Sequence, residues 1–234
     1  LDVDFRATYL GAATPPEGVD ASVAESYGRF QLWLEGTELE VIAPFRGEYG
    51  AENVVAVAAA AHMLGIDASL IARGLAAAHM PAQRFNQVQA GPWLVIDDTY
   101  NANPLSMRRM LEAAAEQANS RPFVAVLGAM LELGPQAELE HEALGQRLAK
   151  LKLAAIVWKG PHADDVRRGL TMAGYTGPWQ PVADADEFKK VWNTLQQGGL
   201  EAIARAKGGV VLFKGSRSNK LETLMAALTD RHES

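Results

Sequence analysis

Residues 93–104 read Trp93-Leu94-Val95-Ile96-Asp97-Asp98-Thr99-Tyr100-Asn101-Ala102-Asn103-Pro104. The first four are apolar without alternation, which suits a central strand buried on both faces. A dense polar stretch follows. Asn103 then fits a helix N-cap and Pro104 the first helical position. Beyond them Met107, Met110, Leu111, Ala114 and Ala118 recur at helical spacing, with Arg108, Arg109, Glu112 and Glu116 on the opposite face. Strand, polar loop and capped helix make the first half of a βαβ unit.

Outward from this stretch the pattern repeats. Phe123–Leu127, Leu153–Trp158 and Val210–Phe213 are short apolar runs of the same kind, with helical segments between them. Residues 85–234 are therefore expected to form a doubly wound α/β domain with a mostly parallel sheet. Ligands of such sheets gather at the carboxyl ends of the strands, so the polar clusters after each run are the candidate site. A final helix is expected from Asn219, with Glu222 completing a capping box.

Residues 1–84 differ. Val3–Leu10, Arg29–Leu34 and Glu38–Ile42 are strand candidates, punctuated by Thr14-Pro15-Pro16-Glu17-Gly18 and Glu35-Gly36-Thr37. Asn53–Leu64 and Ser69–Ala78 are alanine-rich helical segments, and Met80–Arg84 reads as a linker. The chain opens on Leu1 and already alternates by Phe5, so a piece of something longer is expected.

Composition narrows the function. The 234 residues are 48% hydrophobic, enough for one large or two modest domains. With 22 basic against 28 acidic residues the net charge is −6, which argues against a general nucleic-acid binder. No apolar run approaches a membrane span. Cysteine is absent, which removes disulfides, thiolate metal sites and a cysteine nucleophile. A cytoplasmic protein is the expectation. No Gly-x-x-x-x-Gly-Lys-Ser/Thr phosphate loop, Gly-x-Gly-x-x-Gly turn or Gly-x-Ser-x-Gly elbow occurs, so a triphosphate cradle would lie outside this chain.

Two clusters carry chemistry. The strand-end carboxylates Asp97 and Asp98 suit ribose hydroxyls, although the same loop residues also satisfy turn and helix-start amides. Lys214-Gly215-Ser216-Arg217-Ser218 follows the last apolar run and leads into a helix. Two cations and two hydroxyls at a helix start suit an anion, which would offset positive charge where the helix dipole disfavours it. Gly128 after its strand permits a tight turn. His141, on the face of Leu144, Leu148 and Leu151, reads as a hydrogen-bonded structural residue.

Asp97–Pro104 resembles a signature of the Mur ligases, in particular of the member that adds D-alanyl-D-alanine to the UDP-N-acetylmuramoyl tripeptide. Val126-Leu127-Gly128-Ala129-Met130-Leu131-Glu132-Leu133-Gly134 and Lys214–Ser218 followed by Leu221-Glu222 are similar to two further motifs of that family. Gly47–Ala60 resembles its glycine-then-asparagine helix, with Asn53 in the asparagine position. Tyr49-Gly50, Gln83 and Ala129 depart from the residues usual there.

What the resemblance implies is an ATP-dependent amide ligase of peptidoglycan precursor synthesis, working through an acyl phosphate. Residues 1–84 would be the C-terminal part of its central ATPase domain, and 85–234 its Rossmann-like C-terminal domain. The magnesium ligands would lie mostly outside this chain, and the piece alone would be inactive. Asn53, Arg84 and Asp98 would serve the nucleotide. Asn103, Lys214, Ser216 and Arg217 would serve the dipeptide substrate, with no catalytic residue or metal ligand on this chain. Related ligases with another amino-acid acceptor, such as folylpolyglutamate synthetases, and a non-catalytic nucleotide-binding module are the alternatives.

Overall fold

A computed structural model describes residues 4–17, 27–45, 47–78, 83 and 85–229. The chain divides into two units, Leu1–Pro81 and Ala82–Ser234. The linker expected at Met80–Arg84, Gln83 apart, lies outside the described residues, and so does Arg84 itself.

In the first unit β1 (Phe5–Ala12), β2 (Gly28–Leu34) and β3 (Thr37–Ala43) form an antiparallel sheet in that order. Leu34 pairs with Thr37 across Glu35-Gly36, both at positive φ, as a tight two-residue hairpin requires. Helices α1 (Gly47–Met63) and α2 (Ala68–Ala76) cover one face. Phe30, Leu32, Leu34 and Val41 from the sheet pack against Ala51, Val54, Ala58, Ile71 and Leu75. The expected helix over Asn53–Leu64 thus begins earlier, at Gly47. Glu48 in its first turn favours the helix dipole. Gly50 then lies where a Cβ would fall 2.7 Å from Phe45. Asp67 caps α2 by accepting from the Ser69 amide at 2.8 Å.

The second unit is a six-stranded sheet, ordered β4 (Asn86–Ala90), β5 (Trp93–Asp98), β9 (Gly209–Lys214), β6 (Phe123–Gly128), β7 (Ala155–Lys159) and β8 (Trp179–Pro181). All pairs are parallel except β4 with β5. Helices α3 (Pro104–Ala118), α4 (Ala137–Leu148) and α5 (Ala163–Met172) connect β5, β6, β7 and β8 in turn. The return from β8 runs through α6 (Ala185–Leu195) and α7 (Glu201–Lys207) into β9, and α8 (Glu222–Thr229) closes the unit. One face buries Val95, Val126, Val157, Val211 and Phe213 against Phe188 and Trp192 of α6 and Leu224 and Leu228 of α8. Strand alternation sends Ile96, Leu127, Ile156 and Leu212, all buried, to the other face, where α3 packs on β6 and β9.

The four expected strands are present, and the doubly wound, mostly parallel sheet is the one expected. Two strands have no counterpart in the sequence reading. Asn86–Ala90 lacks an apolar run because it is an antiparallel edge, reached through the Gly91-Pro92 turn. Its buried Gln87 is satisfied by exchanging side-chain bonds of 3.2 and 3.1 Å with Gln117 of α3. Trp179–Pro181 has three residues, half-buried to exposed, and so carries too little apolar pattern to read.

Candidate functional site

Insertion of β9 between β5 and β6 decides what meets at the carboxyl edge. Asp98 and Lys214 end neighbouring parallel strands and are register partners, and Leu127 of β6 faces Lys214 from the other side. Lys214 Nζ donates to Asp98 Oδ2 and, at 3.1 Å, to the Asn101 carbonyl. Asp98 Oδ1 accepts from the Phe85 amide at 3.2 Å. The lysine side chain is 1% exposed and the carboxylate 14%. A buried ion pair persists only when further hydrogen bonds satisfy both ends, and these do.

Asp97 points the other way and is buried. Its Oδ1 accepts from the Thr99 amide at 3.2 Å and the Thr99 hydroxyl at 2.7 Å. Burial pushes its carboxyl above the usual range, and the bonds from Thr99 oppose that. Of the two strand-end aspartates, Asp97 therefore shapes the turn and Asp98 faces the rim.

The Lys214–Ser218 segment departs from expectation. It does not run straight into a helix. A single 3-10 turn at Arg217–Asn219 and a left-handed Lys220 separate it from α8, and no capping box starts at Asn219. The helix dipole therefore exerts no demand on Lys214, whose counter-charge is Asp98. Ser216 is also turned inward. Its Oγ donates to the Ala102 carbonyl at 3.4 Å and accepts from the Leu131 amide at 3.0 Å. Its amide donates to the Ala129 carbonyl at 3.2 Å. Three strand-end loops are thereby stitched together.

Arg217 is exposed. Its guanidinium donates to Gln83 Oε1 at 3.2 Å and lies 5.5 Å from the Tyr100 ring. The Tyr100 amide in turn donates to the Gln83 carbonyl at 3.1 Å. Asn103 caps α3 as expected: its Oδ1 accepts from the Ser106 amide at 2.8 Å, and the Asn103 amide donates to Ser106 Oγ at 3.1 Å. Asp98, Lys214, Ser216, Arg217 and Asn103 thus belong to one run of loops. The Asn101 carbonyl accepts from Lys214 and the Ala102 carbonyl from the Ser216 hydroxyl, and Asn103 follows directly. Asn53 lies in α1 of the first unit, where its side-chain amide donates to the Tyr49 carbonyl at 3.1 Å.

Two participants escape the sequence reading. Gln83 positions Arg217 across a long chain separation. Buried Asn219 donates through Nδ2 to the Ala129 and Ser216 carbonyls, both at 2.8 Å. The signal for Asn219 was the glycines around it. A Cβ on Gly128 would sit 2.9 Å from the Asn219 side chain, so the close approach at that glycine is to the protein's own side chain. His141 is buried and bonded at both ring nitrogens, as its structural reading requires. Among the described residues no three His, Asp or Glu side chains cluster to hold a metal ion, and no helix is long and apolar enough to cross a membrane.

A doubly wound sheet whose polar loops converge on one carboxyl edge defines a ligand-binding α/β domain. The family model described as Mur ligase, glutamate ligase domain matches residues 83–217, and the chain belongs to the Mur ligase family. It is 32% identical over 211 residues to the UDP-N-acetylmuramoyl-tripeptide--D-alanyl-D-alanine ligase of Mycobacterium bovis, covering 86% of this chain and 41% of that protein. Against a crystal structure of MurF from Acinetobacter baumannii the TM-score is 0.73 at 35% identity, covering 88% of this chain and 42% of the other. Against the MurF ligase from Thermotoga maritima in complex with ADP it is 0.66 at 25% identity, covering 89% and 44%. The chain spans about two fifths of the length of the curated relatives it matches, as the 41% figure states.

Proposed function

We propose that this chain is part of an ATP-dependent ligase that joins D-alanyl-D-alanine to the UDP-N-acetylmuramoyl tripeptide, a step of peptidoglycan precursor synthesis in the cytoplasm. Residues 1–84 would be the end of its central ATPase domain and 85–234 its C-terminal domain. The carrying observation is the Asp98–Lys214 pair and the Ser216–Arg217 turn on one carboxyl edge. It stands in a chain 32% identical to a protein named for this reaction.

The chemistry asked of these residues is positional. A carboxylate resists attack by an amine, so the reaction class phosphorylates it from ATP and lets the dipeptide amine displace phosphate. Asp98 keeps lone pairs beyond its two protein bonds, and we assign it the ribose hydroxyls. Lys214 holds Asp98 in place from below. Arg217, exposed and braced by Gln83, would take the dipeptide carboxylate as a bidentate fork. Asn103 is exposed at the start of α3, and Ser216 ties its own loop to Ala102, the residue before Asn103. By resemblance to the family, Asn53 and Arg84 are also proposed as nucleotide-binding residues. Magnesium, which offsets charge on the phosphates in this reaction class, would be held mostly by residues outside this chain.

The test is substrate competition with the product of the full reading frame containing this chain. Phosphate release should require D-alanyl-D-alanine and should not be supported by glutamate. Equal rates with glutamate would assign the chain to another ligase of the family.

A further inference from the structure

His141 lies on α4, away from every ligand contact proposed above, yet it is wholly buried and both its ring nitrogens are committed. Nδ1 donates to the Ala137 carbonyl at 2.6 Å, which leaves Nε2 as the acceptor of the Met130 amide at 3.0 Å. Only the neutral ring protonated on Nδ1 satisfies both bonds. Met130 belongs to the loop after β6. The next amide, Leu131, donates to Ser216 Oγ, which in turn donates to the Ala102 carbonyl. A continuous chain of bonds therefore runs from the α4 imidazole to the loop that carries Asn101, Ala102 and Asn103.

We propose that His141 is a positioning residue for the substrate rim: its neutral Nε2 holds the Met130–Leu131 backbone so that Ser216 can tie the three strand-end loops together, and protonation releases them. The inference rests on the reading of this rim as the substrate site. An imidazolium has no acceptor, so a proton on Nε2 turns the Met130 contact into two opposed donors.

The surroundings hold the ring in its neutral form. Burial is the largest influence and lowers the imidazole pKa. The His162 ring, at the start of α5, stacks on it at 4.3 Å and 12° and lowers it further, while the Ala137 carbonyl, Asp165 and Glu140 act in the opposite sense. Trp158 of β7 meets the ring edge-on at 5.7 Å. The nearby charges of α4 and α5 are mutually engaged. Asp165 accepts from His162 Nδ1 at 2.8 Å, and Arg168 binds Asp165, Glu138 and Glu142. Asp165, the α5 carboxylate that favours an imidazolium at His141, is thereby already shared with His162 and Arg168.

The experiment follows the Met130 and Leu131 amides of the whole chain by hydrogen exchange and NMR from about pH 7.5 to about pH 4, through and below the ordinary histidine range because burial depresses the His141 pKa. In the wild type, protection of both amides should fall about fivefold or more on acidification, the loss expected for one hydrogen bond. His141→Gln, whose carbonyl replaces Nε2 as acceptor and does not titrate, should keep protection constant over the same range. His141→Leu should lose it at every pH. Unchanged protection in His141→Leu at neutral pH would overturn the proposal, as would the same pH dependence in His141→Gln as in the wild type. The readout needs no substrate, so a failed ligase assay would sink the assigned reaction and leave this result standing.

Discussion

At Asp98 and Lys214 the two ends of one ion pair differ in exposure, 14% against 1%, and the asymmetry makes a prediction. Asp98→Asn strips the counter-charge from a buried ammonium and should cost about 3–5 kcal/mol. Lys214→Met leaves a carboxylate that still accepts from Phe85 and reaches solvent, and should cost less, about 1–3 kcal/mol. Urea unfolding of both variants checks the order. Arg217 behaves differently because it is exposed and, among the described residues, braced by Gln83 and Tyr100. Arg217→Ala should leave the far-UV circular dichroism intact and weaken dipeptide use about tenfold to a hundredfold, the range for a charge-assisted bond. Unfolding of this variant would make Arg217 structural. At His141 the folded-state pKa is depressed, so on acidification the unfolded chain takes up the proton first. The stability the neutral ring supplies is whole above about pH 6.5 and is lost as pH falls below it. His141→Gln should flatten that part of the curve of urea midpoint against pH; parallel curves would contradict it.

Among the elements, the central strands were legible and the edges were not. Leu94–Ile96, Phe123–Leu127 and Val210–Phe213 are buried on both faces, so burial wrote itself as unbroken apolar runs. The edge strands β4 and β8 lack that constraint. The N-cap at Asn103 was readable because capping is local chemistry. The Asn219 clamp was not, because its partners at Ala129 and Ser216 are main-chain carbonyls that any residue would supply. Gln83 showed in the sequence as a departure from the family pattern, but its bond to Arg217 did not, because the two lie far apart along the chain. Glycines separate the two kinds of helix contact. Gly169 of α5 is pressed onto the α4 backbone, and a Cβ there would fall 2.9 Å from the Gln146 amide nitrogen while clashing with the Glu142 carbonyl. Gly169→Ala should destabilise by about 1–3 kcal/mol. Gly74 of α2 has nothing within 4 Å of its would-be Cβ, and Gly74→Ala should stabilise by about 0.5–1 kcal/mol. Thermal unfolding of the two variants should move in opposite directions.

For the whole molecule, the sequence motifs and the sheet topology agree on where chemistry is gathered. Strand order β5-β9-β6 brings the ends of residues 93–98, 209–214 and 123–128 together, although they are far apart in sequence. Three motifs that look separate in the chain become one rim. Family membership follows from the match over residues 83–217, and the acceptor specificity is what the rim is proposed to set. The most direct measurement is phosphate release by the product of the full reading frame, supplied with ATP and the UDP-N-acetylmuramoyl tripeptide, as D-alanyl-D-alanine is added. Release that rises with the dipeptide and fails in Asp98→Ala is the expected result. Release that is indifferent to the dipeptide, or undiminished in Asp98→Ala, would contradict the assignment.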